Sequence, residues 1–215
     1  MCAHWRPSSP TRCNPAGNKL ILLTKSANTG YLAEIAPEHR SNVVVTFSLN
    51  PEGVADLWEG KWPDTGERIT PSIARRLQAA RYAQELGFEV RVRVDPILTP
   101  PGWQDLYAAF IADVHALGIA FSYWTLGTYR EKNHQLDGWR ERWGLPAMEW
   151  QPGEDELVQD GTHRHLRTER RIEIYTMVRD LIQREFARAR VSLCKETHDV
   201  RRAVALCNAD CNCLR

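Results

Sequence analysis

Five short apolar runs, each followed by a polar or helix-patterned stretch, constrain this chain more than any other feature. They are Lys19–Thr24, Asn42–Ser48, Phe88–Val94, Ile119–Leu126 and Val191–Cys194. Lys19–Thr24 is continuous, as expected of a strand buried on both faces, Asn42–Ser48 is a β-branched run, and in Phe88–Val94 valines alternate with Glu89, Arg91 and Arg93. Helices are read in the stretches between the five runs. Thr70 reads as an N-cap and Pro71 as the first residue of a helix through Leu86, with Ile73, Leu77 and Ala80 on one stripe and Ala83 beside it. A second helix spans Gly102–Leu117. A third spans Leu166–Ala189, with Ile172, Tyr175, Val178, Leu181, Ile182 and Phe186 spaced for a single buried face. Ser26 and Asn28 offer caps for a short helix over Tyr31–Ile35. Pro51 suits the first turn of another, and a last one lies near His198–Leu206. Residues 59–70 and 128–165 carry no clear period and read as loops.

A repeated β-α order asks for a parallel sheet with right-handed crossovers. Five strands are too few to close an eight-stranded barrel. The expected fold is therefore α/β, an open or partial (β/α) barrel, with a flavodoxin-like sheet as the alternative. Residues 1–17 form an irregular leading segment, and 18–213 hold the incomplete barrel and a cysteine-containing tail.

Composition sets outer bounds. Of 215 residues, 43% are hydrophobic and 26% charged, enough for a packed core. The formal net charge of +1 excludes polybasic-tail behaviour but not a local basic groove. No apolar run approaches the roughly 18–20 residues of a membrane span. The opening MCAHWRPSSPTRC has no apolar core of a secretory signal. The expectation is a soluble, cytoplasmic chain.

In parallel α/β folds, functional groups gather at the carboxyl ends of the strands. Here those ends read Thr24-Lys25-Ser26, Ser48-Leu49-Asn50, Arg93-Val94-Asp95-Pro96, Thr125-Leu126-Gly127 and Cys194-Lys195-Glu196. Lys25 can hold a carboxylate or phosphate, or snorkel at a strand end. Ser48 and Asn50 can donate and accept around the same ligand, or serve the turn before Pro51. Asp95 can take a ribose hydroxyl or an amine, or pair with Arg91 or Arg93. Those two arginines share one face of their strand, which is costly unless they are paired or face a wet lumen. That favours a barrel interior. Arg75, Arg76 and Arg81 read as a solvated helical side. Trp62, Trp103 and Trp143, beside Gly or Pro, are expected to pack loops onto the body.

Six cysteines complete the inventory, and none lies between Cys13 and Cys194. Cys194, Cys207, Cys211 and Cys213 together supply four thiols. That number suits zinc or an iron–sulfur cluster, although the spacing matches no common pattern and reduced, partly buried thiols are the plainer alternative. His163, Arg164 and His165 lie in a polar stretch that can contact phosphate or remain solvated.

Leu-Leu-Thr-Lys-Ser (22–26), Thr-Phe-Ser-Leu-Asn (46–50), Thr-Pro-Ser (70–72) with Arg-Leu-Gln-Ala-Ala (76–80), Val-Asp-Pro-Ile (94–97) and Gly102-Trp103 appear in one order. So do Ser-Leu-Cys-Lys-Glu-Thr (192–197), Val-Arg-Arg-Ala (200–203) and Cys-Asn-Cys (211–213). This order resembles the spore photoproduct lyase family of radical S-adenosylmethionine enzymes, the DNA repair photolyase-like group, over about residues 18–213. The resemblance implies a partial (β/α)6 barrel, S-adenosylmethionine and a 4Fe–4S cluster as cofactors, and DNA with thymine photoproducts as partner. It implies cofactor-binding roles for Lys25 and Ser48 at the methionine end and for Asp95 near the adenosine; Asn50, from its place at the same strand end as Ser48, is expected to bind the cofactor with them. It places Arg164 near a lesion-contacting hairpin. One departure stands out. The family's Cys-x-x-x-Cys-x-x-Cys motif is absent, Cys2 and Cys13 are too far apart to replace it, and the tail cysteines have a different spacing. The expectation is an N-terminally truncated relative, inactive on its own. Its alternative is a non-enzymatic metal-binding module built on the C-terminal cysteines.

Overall fold

The computed structural model describes residues 19–132, 135–145, 148 and 150–206. Five strands form one parallel sheet in the order β1 (Leu20–Thr24), β2 (Val43–Ser48), β3 (Glu89–Ile97), β4 (Tyr123–Thr128) and β8 (Arg190–Leu193). Each strand lies beside the one before it, and β1 stands at the edge. A flavodoxin-like sheet would instead place its first strand inside, with a reversal in the order. The monotonic order is that of a barrel wall.

The two faces of this sheet differ in chemistry. Val45, Phe47, Val90, Val92, Val94, Trp124, Leu126, Val191 and Leu193 belong to the apolar core. Packed with them are Ile73, Leu77 and Ala80 of α3 (Ile73–Glu85), Tyr107, Ile111 and Val114 of α4 (Trp103–Ala116), and Ile174, Val178 and Ile182 of α6 (Thr168–Glu185). Strand side chains alternate. The opposite face therefore carries Thr46, Ser48, Arg91, Arg93, Asp95, Thr125 and Ser192. Helices cover one face, and the polar face is the inner one.

Periodicity gives no sign of a second, three-stranded antiparallel sheet, although the resemblance places a hairpin near Arg164. This sheet comprises β5 (Arg130–Lys132), β6 (Leu157–Asp160) and β7 (His163–Leu166), in the order β5-β7-β6, with α5 (Gln135–Arg142) between β5 and β6. It occupies the stretch that shows no period in the sequence. The reason is composition: Arg-Glu-Lys and His-Arg-His-Leu offer almost no apolar alternation. The sheet is held instead by Arg164, which pairs with Glu131 at 3.1 Å and with Glu154.

Several local expectations are corrected. Residues Gly30–Glu34 form a 3-10 turn, and Ser26 and Asn28 do not cap it. The Asn28 N–H donates to Ser26 Oγ at 3.0 Å instead. The N-cap of α3 is Ser72, which accepts from the Arg75 N–H at 3.3 Å, while Thr70 binds Glu59 and Arg76. Strand β3 continues through Pro96 with a cis Asp95–Pro96 bond. Helix α6 stops at Glu185, and Phe186 turns to meet Trp124, with ring centroids 5.6 Å apart. Arg76 lies on the buried stripe of α3 and is fully buried, unlike its exposed neighbour Arg75. Trp103 is buried, but Trp62 and Trp143 are exposed. Among the described residues, no helix is long and apolar enough to cross a membrane.

The short elements α1 (Pro37–Arg40), α2 (Glu52–Glu59) and α7 (His198–Ala203) complete the chain. Of these, α2 bears most directly on the strand ends, because it delivers Glu59 to the end of β1.

Candidate functional site

The strand ends assemble two clusters. The first joins β1, β2, α2 and α3. Thr24 pairs with Phe47 in the sheet register, so Lys25 and Ser48 follow abreast. Lys25 Nζ donates to Glu59 Oε1 at 2.7 Å. The same carboxylate receives both arms of the Arg76 guanidinium and the Thr70 hydroxyl. Arg76 also donates to the Ser48 carbonyl at 3.2 Å and to the Pro71 carbonyl at 2.9 Å. Burial alone would raise the Glu59 pKa, but Arg76, Lys25 and Thr70 outweigh it and lower it to about 2.

Asn50 lies at the end of β2, and its side chain is fully engaged. Its amide donates to the Pro96 carbonyl at 3.2 Å and accepts from the Tyr107 hydroxyl at 3.1 Å. The Tyr107 oxygen in turn accepts from the Leu98 N–H. Asn50 thus ties the ends of β2 and β3 to α4. Burial pushes the Tyr107 pKa well above its usual value, so its proton stays in place.

The second cluster joins β3, β4, β5 and β8. Ser48, Arg93, Thr125 and Ser192 lie side by side in register across four strands. Two residues further along sits Asp95. Its Oδ2 accepts from Arg93 Nε at 3.1 Å, Arg93 Nη2 at 2.6 Å and Arg130 Nη2 at 2.9 Å. Gly127 makes this possible. A Cβ there would fall 2.5 Å from the Asp95 Cγ, so only glycine leaves room for the carboxyl. Cys194 completes the cluster. Its buried sulfur accepts from Arg93 Nη2 at 2.9 Å, and its carbonyl accepts from Arg130 Nη1 at 3.1 Å. Burial works against the Arg93 charge, but Asp95 and Cys194 prevail and raise its pKa. Of the two ways for the strand's arginines to avoid that cost, pairing or a wet lumen, both are paired: Arg93 with Asp95, and Arg91 with Glu89 at 2.6 Å.

Thr46, Thr125 and Ser192, all on the polar face of the sheet, have buried hydroxyls with no hydrogen-bond partner among the described residues. Buried polar groups ordinarily find partners, so a wall with three such hydroxyls is suited to water or a polar ligand.

Lys25, Ser48, Asn50 and Asp95 thus converge on one end of one sheet. Arg164 does not join them. It sits on β7, its side chain only 11% exposed and held between two carboxylates. Cys194 is present as a buried free thiol. Cys207, Cys211 and Cys213 lie outside the described residues, as do Cys2 and Cys13. Among the described residues, no group of three His, Cys, Asp or Glu side chains could hold a metal ion. Glu59 and Arg130 were not singled out by the sequence. A signal existed for Glu59: an arginine on the buried stripe of α3 demands a carboxylate nearby.

No protein-family model matches the chain, and no curated protein matches it. Solved structures do. A cysteine-to-alanine variant of spore photoproduct lyase with dinucleoside spore photoproduct superposes with a TM-score of 0.67 at 20% identity, over 82% of this chain and 52% of that one. The lyase complexed with dinucleoside spore photoproduct gives a TM-score of 0.66 at 22% identity, over 82% and 51%. A doubly substituted variant with bound AdoMet and the dinucleoside gives 0.64 at 22%, over 80% and 50%. The chain spans about half the length of the solved structures it matches. Over that half, the fold is the one seen in spore photoproduct lyase.

Proposed function

We propose that this chain is the S-adenosylmethionine-binding and DNA-facing part of a spore photoproduct lyase-type enzyme. The observation that carries the reading is the convergence of Lys25, Ser48, Asn50 and Asp95 at the strand ends of a sheet with that fold. In this reading Lys25 supplies an ammonium, and Ser48 a hydroxyl, to the carboxylate of the methionine end. Asn50 fixes the spacing of β2 and β3, and Asp95, braced by Arg93 and Arg130, faces the adenosine. The small sheet meets the photoproduct in DNA, with Arg164 stiffening it from within through Glu131 and Glu154.

S-adenosylmethionine, when cleaved reductively, supplies the radical that such enzymes use. The cluster that drives cleavage has no ligand set among the described residues, and the sequence holds no Cys-x-x-x-Cys-x-x-Cys. The role proposed for these residues is to bind and orient. The chain by itself is expected to bind S-adenosylmethionine without cleaving it.

Calorimetric titration tests this. S-adenosylmethionine should bind the purified chain, and Lys25→Met should weaken it by about tenfold, the usual consequence of losing about 1.4 kcal/mol. A wild-type chain that does not bind the cofactor would refute the reading. So would reductive cleavage by the chain alone refute the passive role.

A further inference from the structure

Glu59 is the buried hub of the first cluster, and nothing in the sequence motifs points to it. Its carboxylate is shared by two cations. Side-chain exposure is 0% for Arg76, 3% for Glu59 and 37% for Lys25. One negative charge between two positive ones leaves a surplus positive charge, and only Lys25 displays it to solvent. Arg76, bidentate on Glu59, already satisfies the carboxylate with the help of Thr70. A second cation adds desolvation without a second counter-charge, which is a poor way to build stability. It is a good way to aim an ammonium. An ammonium carries three donors, and Glu59 accepts one of them. Arg76 meanwhile carries the same carboxylate's influence to the Ser48 carbonyl.

We propose that Glu59 is a positioning residue that orients Lys25 and, through Arg76, Ser48 toward an incoming ligand carboxylate. This deepens the cofactor-binding role proposed for Lys25 and Ser48 and rests on it. Glu59 touches no ligand itself. It fixes the ammonium in direction and holds α2, the Thr70 loop and α3 against the ends of β1 and β2.

The test compares S-adenosylmethionine with its decarboxylated analogue by calorimetric titration into the full chain. Wild type should prefer the carboxylate-bearing ligand. Glu59→Gln should lower S-adenosylmethionine affinity by about tenfold and leave the decarboxylated analogue within about twofold, abolishing the preference. A melting curve reads the structural cost separately. Equal losses for both ligands would make Glu59 merely structural and overturn the proposal. So would an unchanged preference in a folded variant. Should Glu59→Gln fail to fold, Thr70→Val withdraws one donor from Glu59 and leaves both ion pairs. It should cost about threefold for S-adenosylmethionine alone, and an equal loss or none overturns the proposal in the same way. Two further results separate this proposal from the reading beneath it. If wild type binds neither ligand, the functional reading fails and takes the proposal with it. If wild type binds both equally, the cofactor stands but Lys25 does not read its carboxylate.

Discussion

Gly127→Ala isolates the contact on which the second cluster depends. The φ of Gly127 lies outside the left-handed region, so the backbone itself would accept alanine. In a strand interior that exchange should stabilise by roughly 0.5–1 kcal/mol through lost chain entropy. Against this, the new Cβ would lie 2.5 Å from Asp95 Cγ and Oδ1 and 2.8 Å from Oδ2. Ordinary carbon contacts begin at about 3.5 Å, so the carboxyl must retreat by about 1 Å. Its retreat is opposed by three charge-assisted bonds, from Arg93 at 2.6 and 3.1 Å and from Arg130 at 2.9 Å. Losing one or two of them costs about 2–4 kcal/mol. The clash should win, leaving a net loss of about 1–3 kcal/mol. Equilibrium urea unfolding measures it, and a double-mutant cycle assigns it. In an Asp95→Ala background, already weakened, Gly127→Ala should be neutral or stabilising. A single variant as stable as wild type would refute the argument. So would a penalty that persists without Asp95.

The ion pairs, the buried tyrosine and the edge strand set three other outcomes. Glu59 and Glu89 have pKa values lowered to about 2 by their cationic partners. Their stabilisation is complete above the unfolded value of 4.5 and vanishes as pH falls toward 2, so the urea midpoint should drop across that window. A midpoint flat from pH 5 to about 2.5 would contradict the pairing. Tyr175→Phe removes the hydroxyl that accepts from the Thr128 N–H at 2.9 Å and donates to Glu196 at 2.8 Å, leaving both buried groups short of a partner. The expected loss is about 1–3 kcal/mol in a denaturant melt, and a change within about 0.5 kcal/mol would mean that water replaces the hydroxyl. Leu20 and Leu23 are 49% and 56% exposed on the edge strand β1. The chain should self-associate with concentration, Leu23→Lys should reduce this, and a monodisperse wild-type monomer in light scattering would count against it.

The parallel sheet was legible because its strands are short, β-branched or apolar runs set between helix-patterned stretches. Val43–Ser48 shows this most plainly, and every residue in it is buried. The carboxyl-end residues followed from the same reading. The small sheet was hidden because its stability comes from ion pairs between residues far apart in sequence, such as Arg164 and Glu131, which leave no period. Arg76 was misread because charge was given more weight than position. Its place three residues after Ile73 and four before Ala80 puts it on the buried stripe. Glu59 and Arg130 act through partners 17 and 35 positions away, and no local pattern encodes a partner at such a distance.

The sequential strand order has a consequence for assembly. From β1 to β4, each strand can add to a neighbour made shortly before. Strand β8 is different, because the small sheet and α6 must be threaded between β4 and its pairing with β8. The entropy of closing so long a loop grows slowly with length but must be met before any β8 contact is rewarded. The last strand to dock therefore brings Ser192 and Cys194, and the polar row across the sheet is completed only then. In native-state hydrogen exchange, the amides of β8 should open at lower free energy than those of β2 and β3. The latter part of the wall is the part most readily unmade.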